Sequence, residues 1–357
     1  MTFRPYFTAT AIGSLPHRDA EEACALTLRY LTEAPAWPQL PHRDFRENMY
    51  AQYSEGLPGV VVDPEGRKVF CDTGRDLLAE MEEVLRAYLD GDLEWAAISE
   101  DYASGLYALS RRLAGEGRKY PLLKGQVTGP VSFGLTVLDR GNRPILYHDQ
   151  MAEVMVKLLN LKARWMEGFL RNTGAAEEVL IFLDEPYLVS VGSALVSVSR
   201  DLVVDSIRGC TEGLGCLTGA HCCGNTDWTL LFQAGLDVVN FDAYGYMESL
   251  ALYPEELSRF LEGGGVLAWG LVPNTPAVDG EEVEDLVRRF EEGVALLASR
   301  GVDEDLLRER AMVTPSCGLE GLSEERAERA YRLAAEVSAA LRGEADGEFS
   351  GEGAWRR

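Results

Sequence analysis

Positive charge is scarce in this sequence: 34 Lys and Arg stand against 58 Asp and Glu, a formal net charge of -24. A phosphate backbone or an anionic membrane surface would be repelled rather than drawn in, so neither nucleic acid nor membrane is an expected partner. No apolar run approaches the roughly 20 residues that span a bilayer. The N-terminus lacks the basic, apolar and small-residue succession of a signal peptide, and the expected location is cytoplasmic. The seven cysteines, at 24, 71, 210, 216, 222, 223 and 317, are odd in number, which argues against a disulfide framework. Cys24, Cys71, Cys210 and Cys216 are isolated and read as small buried apolar residues. Histidine is rarer still, with four; His17, His42 and His148 stand alone and read as surface or hydrogen-bonded residues. Also missing is a Gly-x-Gly-x-x-Gly after the first expected strand, which removes the commonest reason to expect a dinucleotide-binding fold.

What is present is a chain of 357 residues, 46% hydrophobic, long enough for a large core and longer than the usual single domain unless the fold is a barrel. From residue 121 onward β-like runs alternate with amphipathic stretches. Segment 122–127 precedes 151–171, 178–183 precedes 197–213, and 216–220 precedes 227–234. The beat continues as 237–241 then 247–262, 266–269 then 281–299, and 311–315 then 323–341. Upstream, a strand at 7–12 with a helix at 19–31, and a strand at 37–40 with a helix at 73–89, make eight β-then-α units. Such alternation implies a parallel sheet in an α/β protein. Eight strands favour a single (β/α)8 TIM barrel over residues 1–342, with an open doubly wound sheet as the alternative. The β-branched runs 60–63 and 67–70 around Pro64-Glu65-Gly66 predict an inserted β-hairpin, placed to cover the barrel mouth. Residues 343–357, rich in Gly and Glu, predict a flexible C-terminal tail.

Functional groups of such a barrel sit at the C-terminal ends of its strands. There the register places Gly13 and Ser14, Asp184 and Glu185, His221 and Cys223, Asp242, and Cys317. One imidazole and two thiols suit Zn2+ with a fourth position open, a catalytic pattern; a closed structural zinc or packed core residues are the alternatives. The ligand thiols would be thiolates, and a substrate thiol in the open position would be activated in the same way. Asp242 could be a fourth ligand, a support for His221, or a helix N-cap. Asp184 and Glu185 are candidates for general acid–base work or for binding an ammonium group. Cys222 reads as a packed thiol. Two glycines in Lys124-Gly125-Gln126-Val127-Thr128-Gly129-Pro130 permit close backbone approach to a ligand.

Five pieces in order, Ile12-Gly13-Ser14-Leu15-Pro16, the 124–130 segment, Leu183-Asp184-Glu185-Pro186, His221-x-Cys223 and Pro315-Ser316-Cys317-Gly318-Leu319, resemble the cobalamin-independent methionine synthase family. The likeness is to its C-terminal catalytic barrel, in the superfamily that includes uroporphyrinogen decarboxylase and methylcobalamin-dependent thiol methyltransferases. It implies His221, Cys223 and Cys317 as zinc ligands, with Asp242 where the synthases carry a glutamate ligand. It implies that Asp184 meets the amino group of homocysteine and that the Ile12, Gly13 and Ser14 backbone meets its carboxylate. Full-length synthases hold methylfolate with a second barrel, and a chain of this length holds one. The expected donor is therefore a methylcorrinoid, free or on a separate corrinoid carrier protein, with methyltetrahydrofolate second. The expected activity is zinc-dependent methyl transfer to a small thiol. A decarboxylase of the porphyrinogen type and a non-catalytic corrinoid- or thiol-binding barrel are the rivals; the first calls for an Arg cluster at the mouth, where the N-terminal strand region offers only Arg18 near the glycine turn.

Overall fold

The computed structural model describes residues 5–193 and 196–343; all of the expected tail except Gly343 lies outside them. In chain order the strands are β1 Val60–Asp63, β2 Lys68–Cys71, β3 Tyr120–Thr128, β4 Leu138–Asp139, β5 Ala176–Asp184, β6 Leu217–Cys222, β7 Val238–Phe241, β8 Val266–Val272 and β9 Ala311–Pro315. A curled parallel sheet runs β3-β5-β6-β7-β8-β9. The expected eight strands become six in this sheet. Two N-terminal segments lie between β9 and β3, tied by single parallel bridges from Ala9 to Val313, Ser14 to Gln39 and Ala36 to Lys124. They do not form regular ladders, because Pro35 and Pro38 lack the N–H a ladder needs and Gly13 turns the chain at φ 139°. A closed ring of eight regular strands is thus not what the pairing shows.

The expected hairpin forms as β1 and β2, and the short β4 joins β2 to make a separate three-stranded sheet. The helices Asp149–Asn172, Val283–Ser299 and Glu324–Leu341 pack on the outer face of the main sheet. The expected helix 247–262 is two, Ala243–Leu250 and Pro254–Glu262, since Pro254 cannot donate into a preceding turn and starts a new one. The expected helix 73–89 starts only at Leu78. An unforeseen helix, Ser104–Glu116, buries Leu106, Leu109 and Leu113 along one face. No helix among the described residues is long and apolar enough to cross a membrane.

The two-residue period of the strands sorts every side chain of the sheet. Leu122, Leu180, Phe182, Val238, Val266, Ala268 and Met312 form an inner cluster on the concave face. Their neighbours one step away, including Leu123, Val179, Ile181, Leu183, Val239, Leu267 and Trp269, belong to the larger core between sheet and helices. Trp269 lies edge-on to Phe290 at 4.8 Å and tilted on Phe241 at 5.3 Å, each fully buried side chain contributing about 3 kcal/mol through area removed from water. The same parity, carried two residues further along each strand, decides which polar side chains face inward.

Candidate metal centre and cavity

Strand register draws the site together before any side chain is considered. Asp184 at the end of β5 pairs with His221 in β6, His221 pairs with Asn240 in β7, and Asn240 pairs with Ala268 in β8. These positions share the inner-face parity of Phe182, Val238 and Ala268. His221 lies within β6 rather than in the loop after it, and Cys223 follows two residues on, on the same side of an extended chain. Cys222 has the opposite parity and is buried in the sheet–helix core, its thiol 3.8 Å from the Gly224 carbonyl oxygen. Cys317 enters from the turn after β9. The ligand atoms of His221, Cys223 and Cys317 all lie within 4.8 Å of one another, with His221 Nε2 3.4 Å from Cys317 Sγ.

Asn240 fixes how His221 presents itself. Its amide nitrogen donates to the Ala268 carbonyl at 2.9 Å and to Thr314 Oγ1 at 2.7 Å, so its Oδ1 is turned toward His221 Nδ1. An amide oxygen can only accept, hence Nδ1 carries a proton, and Nε2 is the ring nitrogen that faces the two sulfurs and would be the one to ligate a metal once deprotonated. Two sulfurs and one such nitrogen are a donor set that fits zinc. The hydrogen bond from Cys317, and after it His221, holds the Cys223 thiol well below the ordinary thiol range despite burial, while Cys317, on the giving side of that bond, is held well above it. Burial pulls the His221 imidazole down, and the hydrogen bond to Cys223 together with the charges of Cys223 and Asp184 outweighs it, leaving a net rise.

The paired carboxylates part company. Asp184 lines the cavity; burial lifts its carboxyl to about 6 against the opposing charges of Lys124 and His221, and its Oδ1 is buried with no hydrogen-bond partner. Glu185, one step along, faces the helix side. Its Oε1 accepts the Val131 N–H at 2.9 Å, and its Oε2 accepts the Ser132 N–H at 2.7 Å and the Ser132 hydroxyl at 2.6 Å. This carboxylate therefore satisfies the open N-terminus of the helix Pro130–Thr136 and is not among the residues lining the cavity. Gly129 is required for that contact, since a Cβ there would lie 2.3 Å from the Glu185 carboxyl carbon. The glycine-bearing 124–130 segment thus accommodates a side chain of the protein itself.

Lys124, fully buried on the inner face, donates to the Ile12 carbonyl at 2.7 Å and sits 4.5 Å over the Phe182 ring. Burial lowers its pKa to about 8 against the charge of Asp184. It tethers the 12–14 turn, in which Gly13 leaves no room for a Cβ beside Gln126 and Ser14 donates from its hydroxyl to Glu320. Ile12, Ser14, Asp184, His221, Cys223, Cys317 and Glu320 all line one cavity of about 460 Å³. Asp242 instead caps the helix Ala243–Leu250, its Oδ1 accepting the Gly245 N–H at 2.7 Å, and it is outside the three-residue donor set.

Of the remaining histidines, His148 pairs with Asp139 at 2.9 Å, His17 is buried, and His42 lies exposed on the cavity rim. Cys24, Cys71 and Cys210 are buried free thiols, as expected, and Cys216 is partly buried. Sequence reasoning missed Asn240, Glu320 and Arg67, the last a cavity-lining residue from the hairpin turn. The signal for Asn240 was available: an amide within the apolar run Val238-Val239-Asn240-Phe241.

No family model and no curated protein matches this sequence. Its structural neighbours are B12-independent methionine synthases and methyltransferases. A B12-independent methionine synthase from Shewanella sp. W3-18-1, solved in complex with selenomethionine, superimposes with a TM-score of 0.58 at 15% identity, over 95% of this chain and 98% of that one. A methyltransferase from Methanosarcina mazei gives 0.52 at 12% identity, over 90% and 86%. A candidate vitamin-B12-independent methionine synthase from Listeria monocytogenes gives 0.54 at 12% identity, over 90% and 86%. At these identities the likeness is one of fold, and this chain is similar in fold to all three across nearly its whole length.

Proposed function

We propose that this chain is a zinc-dependent methyltransferase that moves a methyl group to a small thiol, homocysteine being the expected acceptor and methionine the product. The observation that carries the reading is the donor set of His221, Cys223 and Cys317, within 4.8 Å of one another on the wall of a cavity of about 460 Å³. Three ligands bordering a cavity suit catalysis better than a closed structural site. Bound there, zinc would supply the Lewis acidity that holds an incoming thiol as its thiolate at neutral pH. The unpartnered, buried Oδ1 of Asp184 is placed for the ammonium group of an amino-acid thiol, and the Ile12–Ser14 backbone, held by Lys124, for its carboxylate. Glu320, anchored by Ser14, adds a second carboxylate to the same lining. Transfer forms the S–CH3 bond as the donor's bond to the methyl carbon breaks, and the bonding pair leaves with the donor. The selenomethionine in the Shewanella structure is an analogue of the product proposed here, which supports an amino-acid thioether at this site. The resemblance to a superfamily that includes methylcobalamin-dependent thiol methyltransferases puts a methylcorrinoid first as donor and methyltetrahydrofolate second.

Elemental analysis of reduced protein, beside Cys223→Ala and Cys317→Ala variants, tests the metal. About one zinc per chain is expected in the wild type and none in either variant. Zinc-loaded protein should then methylate homocysteine from methylcobalamin or methyltetrahydrofolate. Absence of zinc after its supply to reduced protein would overturn the reading.

A further inference from the structure

Most arginines among the described residues are ion-paired with Asp or Glu, as an acidic chain allows. Arg67 is different. It sits in the turn of the inserted hairpin, lines the same cavity as the donor set, and its guanidinium lies 5.4 Å from the Phe45 ring centroid with no acidic partner. Its backbone is left-handed, at φ 49°, a conformation that Gly or Asn would adopt more readily. The preceding Gly66 donates its N–H to Asp63 Oδ1 at 2.9 Å, so the turn already has its glycine and still places a long cation at 67. Asp184 and Glu320 line the cavity along with the thiols, while Arg67 and His42 form its basic part.

We propose that Arg67 recognises an anionic group, a carboxylate or phosphate, on a substrate that occupies this cavity, with the hairpin as its carrier. A planar guanidinium stacked on a ring keeps its donor edge free for such a group. The inference rests on the methyl-transfer reading for the identity of the ligands but not for the existence of the anion site. The acceptor's carboxylate and the anionic groups of the donor are its two possible sources.

Calorimetric titration of the reduced, zinc-supplied full chain separates them, using L-homocysteine, its carboxylate-free analogue 3-aminopropane-1-thiol, and 5-methyltetrahydrofolate. Arg67→Gln should weaken homocysteine or methyltetrahydrofolate about tenfold or more, the scale of one charged hydrogen bond, and leave 3-aminopropane-1-thiol unchanged. A loss for homocysteine assigns the acceptor; a loss for the folate assigns the donor. Arg67→Gly, which relaxes the turn, should show the same loss with a melting temperature at or above that of the wild type. Unchanged affinities for both anions, an equal loss for all three ligands, or a wild type that binds neither anion overturns the inference. If the anions bind through Arg67 while 3-aminopropane-1-thiol does not bind at all, the anion site stands and the thiol reading falls.

Discussion

Replacing Asn240 with Leu removes three hydrogen bonds at once: the acceptor for His221 Nδ1–H and the donors to the Ala268 carbonyl and the Thr314 hydroxyl. Leucine matches asparagine in heavy-atom count and branching, but its methyl groups are bulkier than the amide's atoms, so overpacking of this fully buried site adds to the cost of the unmet polar groups. With the partners buried, the loss is on the order of 2–4 kcal/mol of folding stability, after partial relaxation. The effect on the metal is separate. Without its oxygen partner the imidazole is free to turn or to place its proton on Nε2, and loss of such a support typically weakens a metal site 10- to 100-fold, about 1.4–2.7 kcal/mol. Asn240→Asp keeps the acceptor and gives up the donors, so it should lose stability but hold zinc nearly as well as the wild type. Zinc affinity is read by competition with a chromophoric chelator, and stability by urea unfolding of chelator-treated protein. If folded Asn240→Leu binds zinc as tightly as the wild type, or if the Asp variant loses zinc as badly as the Leu variant, the argument that this amide sets the tautomer of His221 is wrong.

Glu185→Ala should destabilise by about 3 kcal/mol in urea unfolding, since two helix N–H groups and a hydroxyl lose a buried acceptor. Its zinc content should be that of the wild type, whereas a variant acting through the donor set would lose metal. Lys162, buried in the helix Asp149–Asn172, has its pKa lowered to about 8 by burial, opposed by Glu55. A depressed lysine leaves the folded state without penalty above about pH 10.5 and costs stability as pH falls toward 8, by about 3 kcal/mol at most. Lys162→Met should therefore be the more stable protein at pH 7, with the gap narrowing as unfolding is measured at rising pH; a constant gap from pH 7 to 10 would refute the assignment.

The regular half of the fold was readable because buried parallel strands appear in sequence as apolar runs, and those from 120 to 315 matched within a few residues. The N-terminal part was not, because segments joined to each neighbour through a single bridge carry no periodic signature, and prolines at 35 and 38 interrupt what pattern there is. At the site, His221, Cys223 and Cys317 were legible from residue type and spacing, and Asp184 from its place after an apolar run. What could not be read was the division of labour between adjacent residues. Asp184 and Glu185 have the same chemistry in sequence, and only the strand's parity sends one carboxylate to the cavity and the other to a helix end. Asn240 and Glu320 matter through partners far away in the chain, Thr314 and Ser14, which no local pattern announces.

The donor set spans the sheet in a way that bears on assembly. His221, in β6, and Cys317, in the turn after β9, are 96 positions apart, with β7 and β8 between their strands. A nascent chain that has made β6 holds two ligands and cannot complete the trio until β9 is laid against β8. If this trio takes a metal, full-affinity capture would be a late event, reporting that the arc has closed in the right order, and the ion would act as a clasp across four strands. Chelation should loosen the sheet from β6 to β9 before it loosens the pairing of β3 with β5.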